Sequence, residues 1–214
     1  MILAVYCAGG LGREIIELAR SINRWEKIIF VDDVTDQKAV SGAEVFRFAE
    51  AEQFRGNLEF IIANGEPSAR EALYNKVKSA GYPLATLISP CCSILPNTDI
   101  GDGCILYDCS ISTNVHIGPN VLMNGNVRIG HDTTVGAHCV FSAFGFLGGD
   151  THIGDRVYIG PGAMVKDRIH IGNDAIVSLG AVILRHVRPE SIMIGNPAKR
   201  WGINTEKTVF HRFQ

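Results

Sequence analysis

Residues 109–183 read CSISTNVHIGPNVLMNGNVRIGHDTTVGAHCVFSAFGFLGGDTHIGDRVYIGPGAMVKDRIHIGNDAIVSLGAVI, and every sixth residue of this stretch is apolar. The series is Ile111, Ile117, Met123, Ile129, Val135, Phe141, Leu147, Ile153, Ile159, Val165, Ile171, Val177 and Ile183. In a chain that is 46% hydrophobic, one phase stays apolar that long by chance with a probability on the order of 10⁻⁵. A helical period of 3.6 does not produce it. Glycine follows the apolar residue at 118, 130, 136, 148, 154, 160 and 172, which predicts a sharp turn with unusual backbone angles. Two positions before it lies a second column of small or β-branched residues, among them Cys109, Val115, Val121, Cys139, Ala163 and Ala181. Two inward columns per hexad describe a short strand and a corner. Three hexads close one triangular coil, so residues 18 apart are expected to stack in a solenoid of parallel strands.

The chain before the repeat has a different rhythm. Residues 2–7 read as a buried strand, Gly9, Gly10 and Gly12 as a tight turn, and 13–22 as a helix with an apolar stripe. A second strand, Lys27–Val31, ends in Asp32 and Asp33; a third is expected over 58–63, then the loop from Asn64, a helix over 67–79 and a strand near 84–88. This predicts an α/β, Rossmann-like domain over 1–89, followed by the solenoid over 90–214 with a short extension from 201. The turn Ala8-Gly9-Gly10-Leu11-Gly12 is not a full G-x-G-x-x-G, so a mononucleotide fits better than a dinucleotide. Its glycines let the chain approach a phosphate at a helix N-terminus, and Asp32, Asp33 and Asn64 stand where a ribose or base would be read. A purely structural glycine turn is the alternative.

A net charge of −2 leaves no electrostatic footprint for nucleic acid, and no basic run suggests a membrane surface. The opening MILAVYCAGG lacks a basic flank and leads into a glycine turn, so it reads as a strand rather than a signal peptide; no segment reaches transmembrane length. A soluble cytoplasmic protein is the expectation. The six cysteines include no C-x-x-C pair, and Cys109 and Cys139 fall in an inward column, so buried thiols are expected rather than disulfides or zinc. His116, His152 and His170 share one outward column and read as a solvated ladder; His138, His186 and His211 show no partner in the sequence.

The hexad run with Gly130-His131-Asp132, the Gly195-Asn196-Pro197-Ala198-Lys199 segment and the N-terminal Ala-Gly-Gly-Leu-Gly with Asp32-Asp33 together resemble the sialic acid O-acetyltransferase family of sugar acetyltransferases. The resemblance covers nearly the whole chain. Its best-understood branch consists of acetyl-CoA-dependent N-acetyltransferases acting on nucleotide-linked 4-amino-4,6-dideoxy sugars, such as those leading to bacillosamine and N-acetylperosamine. It implies a left-handed parallel β-helix, a homotrimer, a nucleotide-linked amino sugar as acceptor, acetyl-CoA as co-substrate and no metal. His131 takes the position of the family's general base and Asp132 that of its acidic partner. Stacking one coil apart sets His131 between Thr113 and Gly149, with open space expected beside the glycine, whose N–H is a candidate for the oxyanion. Acetyl-CoA is expected along a groove between two subunits, past Gly160, Gly162, Ala163, Ser178, Gly180 and Ala181, with Lys199 meeting phosphates. The family's second histidine falls on Val140 here, with Ser142 as a substitute, and its glycine-turn histidine falls on Leu11. Sugar O-acetylation, a non-catalytic sugar-nucleotide-binding protein, and a metal-dependent hydratase with histidines converging across a subunit boundary are the other readings.

Overall fold

The computed structural model describes residues 1–210, so His211 lies outside the described residues. The N-terminal layer is a five-stranded sheet in the order β3-β4-β2-β1-β5: β1 is Ile2–Tyr6, β2 Lys27–Val31, β3 Ala39–Val40, β4 Ala43–Phe46 and β5 Leu58–Ile62. Pairs β1–β2, β1–β5 and β2–β4 are parallel, and β3–β4 is an antiparallel hairpin that the sequence reading did not foresee. Helix α1 spans Gly10–Ile22 and α2 spans Pro67–Ser79. The segment expected as a last strand near 84–88 divides: Leu84 bridges Phe60 in this sheet, whereas Leu87–Ile88 pairs with Ile105–Leu106 in the solenoid.

The solenoid is a left-handed β-helix of two-residue strands on three parallel sheets, with partners 18 residues apart from Ser110 to Val182. All thirteen periodic apolar residues are buried, as is the column two positions earlier, and together they fill one continuous core. The coil pairing also extends back to Ile94 and Ile88. It escapes the period because Ser93 pairs with Ser110, Asp99 with His116 and Leu106 with Met123, each 17 rather than 18 apart.

The turn glycines have a different cause from the one expected. None of the seven after the apolar column has a positive φ; the left-handed residue comes two positions later, at Asn120, Asp132, His138, Asp150, Arg156, Gly162 and Asp174. What forbids a side chain at the glycine is the next coil: a Cβ on Gly130 would lie 2.5 Å from the Gly149 nitrogen, and one on Gly118 2.9 Å from that of Ala137. Asparagine and aspartate suit the left-handed corner because their short polar side chains tolerate it.

The three outer faces differ. On the first, the outward residues Leu122, Val140, Tyr158 and Ile176 are buried and cluster with Ile15, Ile16, Leu18 and Ala19 of α1, so the N-terminal layer packs on this covered face. The second, apolar face carries Phe146, Met164 and Val182 in one register, with Phe146 42% and Met164 52% exposed. The third carries His116, Thr134, His152 and His170. Each coil passes from covered to apolar to histidine face, which puts the corner at residues 130–133 opposite the N-terminal domain. Among the described residues no helix is long and apolar enough to cross a membrane.

Candidate functional site

His131 stands on that far corner, its side chain 62% exposed, with Nδ1 2.7 Å from Asp132 Oδ2. An ionised carboxylate only accepts, so Nδ1 carries a proton, and in the neutral imidazole Nε2 then holds the lone pair. Asp132 is itself placed by its left-handed backbone and by Asn114 Nδ2, which donates to Oδ1 at 3.0 Å. The hydrogen bonds from His131 and then Asn114 hold the Asp132 carboxyl below its usual range. The expected space beside Gly149 is filled by the imidazole itself: a Cβ there would lie 2.6 Å from His131 Nε2. The glycine is needed so that the ring can lie across the coil above. The Gly149 N–H donates to no backbone carbonyl among the described residues. Asp150, Asp167 and Arg168 complete a cleft of about 400 Å³.

The nucleotide-side residues lie elsewhere, at the carboxyl ends of β1, β2 and β5. Gly9 caps α1 without a side-chain hydrogen bond, and a Cβ on Gly9 would meet nothing within 4 Å and one on Gly10 only the tip of Arg13, so the start of α1 is bare. Gly12 is required for packing, since a Cβ there would collide with the Cys7 carbonyl. Asp32 and Asp33, the carboxylates expected at the ribose or base, bond within their own domain. Asp32 accepts from the N–H groups of Ala8, Val34 and Thr35, and Asp33 from Tyr6 Oη, Lys76 Nζ and the Phe48 N–H. Each carboxylate pins loops of its own domain. Against the cost of burial, the bonds from Lys76, Tyr6 and Phe48 hold the Asp33 carboxyl down at about 2. Asn64 shapes its loop through Oδ1, which accepts the Glu66 N–H at 2.9 Å, while Nδ2 reaches the Cys7 sulfur at 3.9 Å.

The residues expected along acetyl-CoA split in two. Gly162 and Gly180 form one column with Phe144 on the corner between the covered and apolar faces; both have φ near +65°, and a Cβ on either would meet nothing within 4 Å. Ser142 starts the same corner, with its hydroxyl 3.0 Å from Tyr158 Oη. Ala163 and Ala181 are a correction: they are wholly buried in the solenoid core with their backbone groups bonded, so they reach no ligand. Val140 is buried against the N-terminal layer, on the face opposite His131. Lys199, with Arg185 and Arg200, lines a cleft of about 480 Å³ at the end of the solenoid.

Three arrangements were not visible in the sequence. Arg70, fully buried, donates to the carbonyls of Ile62 and Asn64 and to Asn120 O and Oδ1; Asn120 Nδ2 then donates to the Arg70 carbonyl and to His138 Nδ1. Burial lowers the Arg70 guanidinium to about 10 and pushes His138 down as well. The tail folds back, and the N–H groups of Val209 and Phe210 donate to Glu66. His186 Nδ1 accepts the His170 N–H, and the rings of His152, His170 and His186 succeed one another at 4.7 and 5.0 Å. Among the described residues no cluster has the geometry to hold a metal, and the cysteines are free.

Residues 2–77 match the family model of the PglD N-terminal domain, and residues 150–185 that of the bacterial transferase hexapeptide repeat. The chain is 30% identical over 147 residues to the GDP-perosamine N-acetyltransferase of Escherichia coli O157:H7, a stretch covering 64% of this chain and 66% of that enzyme. Its structure resembles that of perosamine N-acetyltransferase from Caulobacter crescentus in complex with CoA and GDP-perosamine, with 27% identity, a TM-score of 0.89 and coverage of 94% and 97% of the two chains. It also resembles the acetyltransferase domain of PglB from Neisseria gonorrhoeae in complex with acetyl coenzyme A, with 28% identity, a TM-score of 0.88 and coverage of 93% and 98%. The chain thus joins a PglD N-terminal domain to bacterial transferase hexapeptide repeats, spans about two thirds of the curated relative it matches, and is similar nearly end to end to acetyltransferases of known structure.

Proposed function

We propose that the protein transfers the acetyl group of acetyl-CoA to the amino group of a nucleotide-linked 4-amino-4,6-dideoxy sugar, by direct transfer in a ternary complex. The observation that carries this is the His131–Asp132 pair on an open corner: Asp132 engages Nδ1 and leaves Nε2 free of any carboxylate, so the neutral ring offers its lone pair there. Nε2 takes the proton as the amine nitrogen bonds to the acyl carbon and the C–S bond breaks; the proton then passes to the departing thiolate. The Gly149 N–H is the candidate donor to the developing oxyanion. Acetyl-CoA supplies the activated acyl group. The bare column of Gly162 and Gly180 gives its chain room, and Lys199 with Arg185 and Arg200 offers cations for its phosphates.

The bare start of α1 receives the acceptor's diphosphate, and Asn64 borders its nucleoside. This end of α1 and the Gly162 column lie away from His131 in one chain. A homotrimer resolves this by setting one copy's His131 corner against its neighbour's Ser142 corner, the exposed Phe146 and Met164 being covered on the way. We place the enzyme in the cytoplasm, where acetyl-CoA and nucleotide sugars occur. Thiol release from acetyl-CoA, measured against UDP-, GDP- and dTDP-linked amino sugars and their hydroxyl counterparts, tests the reading: turnover with an amino sugar supports it, and turnover confined to hydroxyl acceptors, or none at all, rejects it.

A further inference from the structure

The bare start of α1 is flanked on two sides, and they differ in what they leave open. On the β2 side Asp32 and Asp33 are committed, three hydrogen bonds each, to donors of their own domain, so few lone pairs remain to read a base or ribose there. On the β5 side Asn64 Nδ2 meets, among the described residues, only the Cys7 sulfur, and Gly65 carries no side chain. Above Gly65 stands Phe210: a Cβ built on Gly65 would find a Phe210 ring carbon at 3.8 Å. The phenyl ring is held at its base. The Glu66 carboxylate accepts the Val209 and Phe210 N–H groups at 3.0–3.1 Å, Val209 packs into the cluster joining α1 to the covered face, and Tyr158 meets the ring edge-on at 5.5 Å and 84°. Yet Phe210 is 54% exposed. A half-exposed ring whose backbone is held by a carboxylate, standing over Gly65 next to the Asn64–Cys7 contact, is a surface on which a planar base stacks.

We propose that Phe210 is the nucleobase platform of the acceptor site, with Glu66 as its positioning residue. The inference rests on the reading that the start of α1 takes a nucleotide sugar, and it adds which side the base occupies and what holds it. A π-face does not discriminate between bases, so Phe210 supplies affinity for a nucleoside diphosphate, and base choice is left to polar groups around Asn64.

Calorimetric titration of the full-length enzyme with UDP, GDP, dTDP and CoA, in wild type and in Phe210→Ala, Phe210→Trp and Glu66→Gln, tests it. For the diphosphate that wild type binds best, Phe210→Ala is expected to raise Kd about tenfold, Phe210→Trp to restore it, and Glu66→Gln to fall between, with CoA binding unchanged. Base stacking on the new indole also changes its emission relative to the Trp25 and Trp201 background of the parent. Unchanged nucleotide affinity in Phe210→Ala, or no spectral response in Phe210→Trp while the nucleotide binds, overturns the platform and leaves the acceptor reading standing. A wild type that binds none of the three diphosphates overturns both.

Discussion

The polar groups of the N-terminal domain and those of the solenoid's outer corners look alike in sequence and differ in how the fold answers them. Asp32 and Asp33 are the charged residues expected at the ligand, yet each makes three hydrogen bonds inside the chain, and Arg70 makes four. Among the described residues His131 has one side-chain partner and a ring mostly in water, and Met164 and Phe146 line up on a face that leaves them 52% and 42% exposed. Groups answered within the chain hold the fold. Groups left unanswered on a rigid scaffold mark where a substrate or a second copy comes in. Every prediction below exchanges a residue on one side of this divide and asks whether activity or stability responds.

The largest effect is expected at His131. His131→Ala should lower kcat by roughly 10²- to 10⁴-fold with the melting temperature unchanged, because the ring supports nothing else. With an amino sugar, part of the loss should return as pH rises through an amine pKa of about 8, where solvent does the deprotonation; a hydroxyl acceptor shows no such recovery. Kinetics from about pH 6 to 9.5 decide it, that range spanning the amine pKa. A flat, near-zero profile rejects N-acetylation, and unchanged activity takes His131 out of the mechanism. Arg70 should behave in the opposite way. Arg70→Met leaves two loop carbonyls and Asn120 without their donor at a wholly buried place, costing roughly 3 kcal/mol, or about 6–12 °C in Tm for a chain of this size. Calorimetry showing less than about 1 kcal/mol would mean that water replaces the guanidinium and that Arg70 belongs with the unanswered groups.

How much of this the residues announce depends on whether neighbours in space are neighbours by period. The hexads make residues 18 apart adjacent, so the solenoid, its core columns and the stacking of His131 on Gly149 follow from counting. The same count misses Ile88 and Ile94, because one residue is absent between coils, and it assigns the turn glycines to backbone angle when the cause is the backbone of the next coil. Contacts between the halves carry no period. Arg70 meets Asn120 across 50 residues and Glu66 meets Val209 across 143, and only packing brings them together. One signal was legible and went unread: the outward residue is apolar at Leu122, Val140, Tyr158 and Ile176, one hexad in three. That is the mark of a covered face.

The apolar face yields the third test. Met164→Asp puts a charge where the proposed subunit contact excludes water, and it should raise the concentration for association on the order of 10²-fold while leaving the single chain folded, since Met164 is 52% exposed. Light scattering should then show monomers, and activity should fall with assembly if, as in the proposed trimer, His131 and the Gly162 column come from different copies. A fully active monomer would place the whole reaction within one chain and end the case for an unanswered face.

The smallest effect is expected at Asp33 and concerns pH. Its folded carboxyl lies at about 2, below the ordinary 3.8, through Lys76, Tyr6 and Phe48 and despite burial. A depressed carboxylate stabilises the fold at pH values above its unfolded pKa, and that contribution is lost as pH falls through the interval from about 4 to about 2. Taken in full, the shift would correspond to more than 2 kcal/mol, but the side chain is 38% exposed and solvent screening reduces it to about 1 kcal/mol. Asp33→Asn should therefore lower Tm by a few degrees at pH 7, with the deficit shrinking as pH falls through the interval from about 4 to about 2, where the wild-type carboxyl takes up its proton. A deficit that persists undiminished at low pH would show that Asp33 acts through the geometry of its hydrogen bonds rather than its charge. If instead Asp33→Asn is as stable as wild type at pH 7 but has a raised KM for the sugar nucleotide, the carboxylate faces the substrate, and the division between answered and unanswered groups fails at the residue where it is drawn most finely.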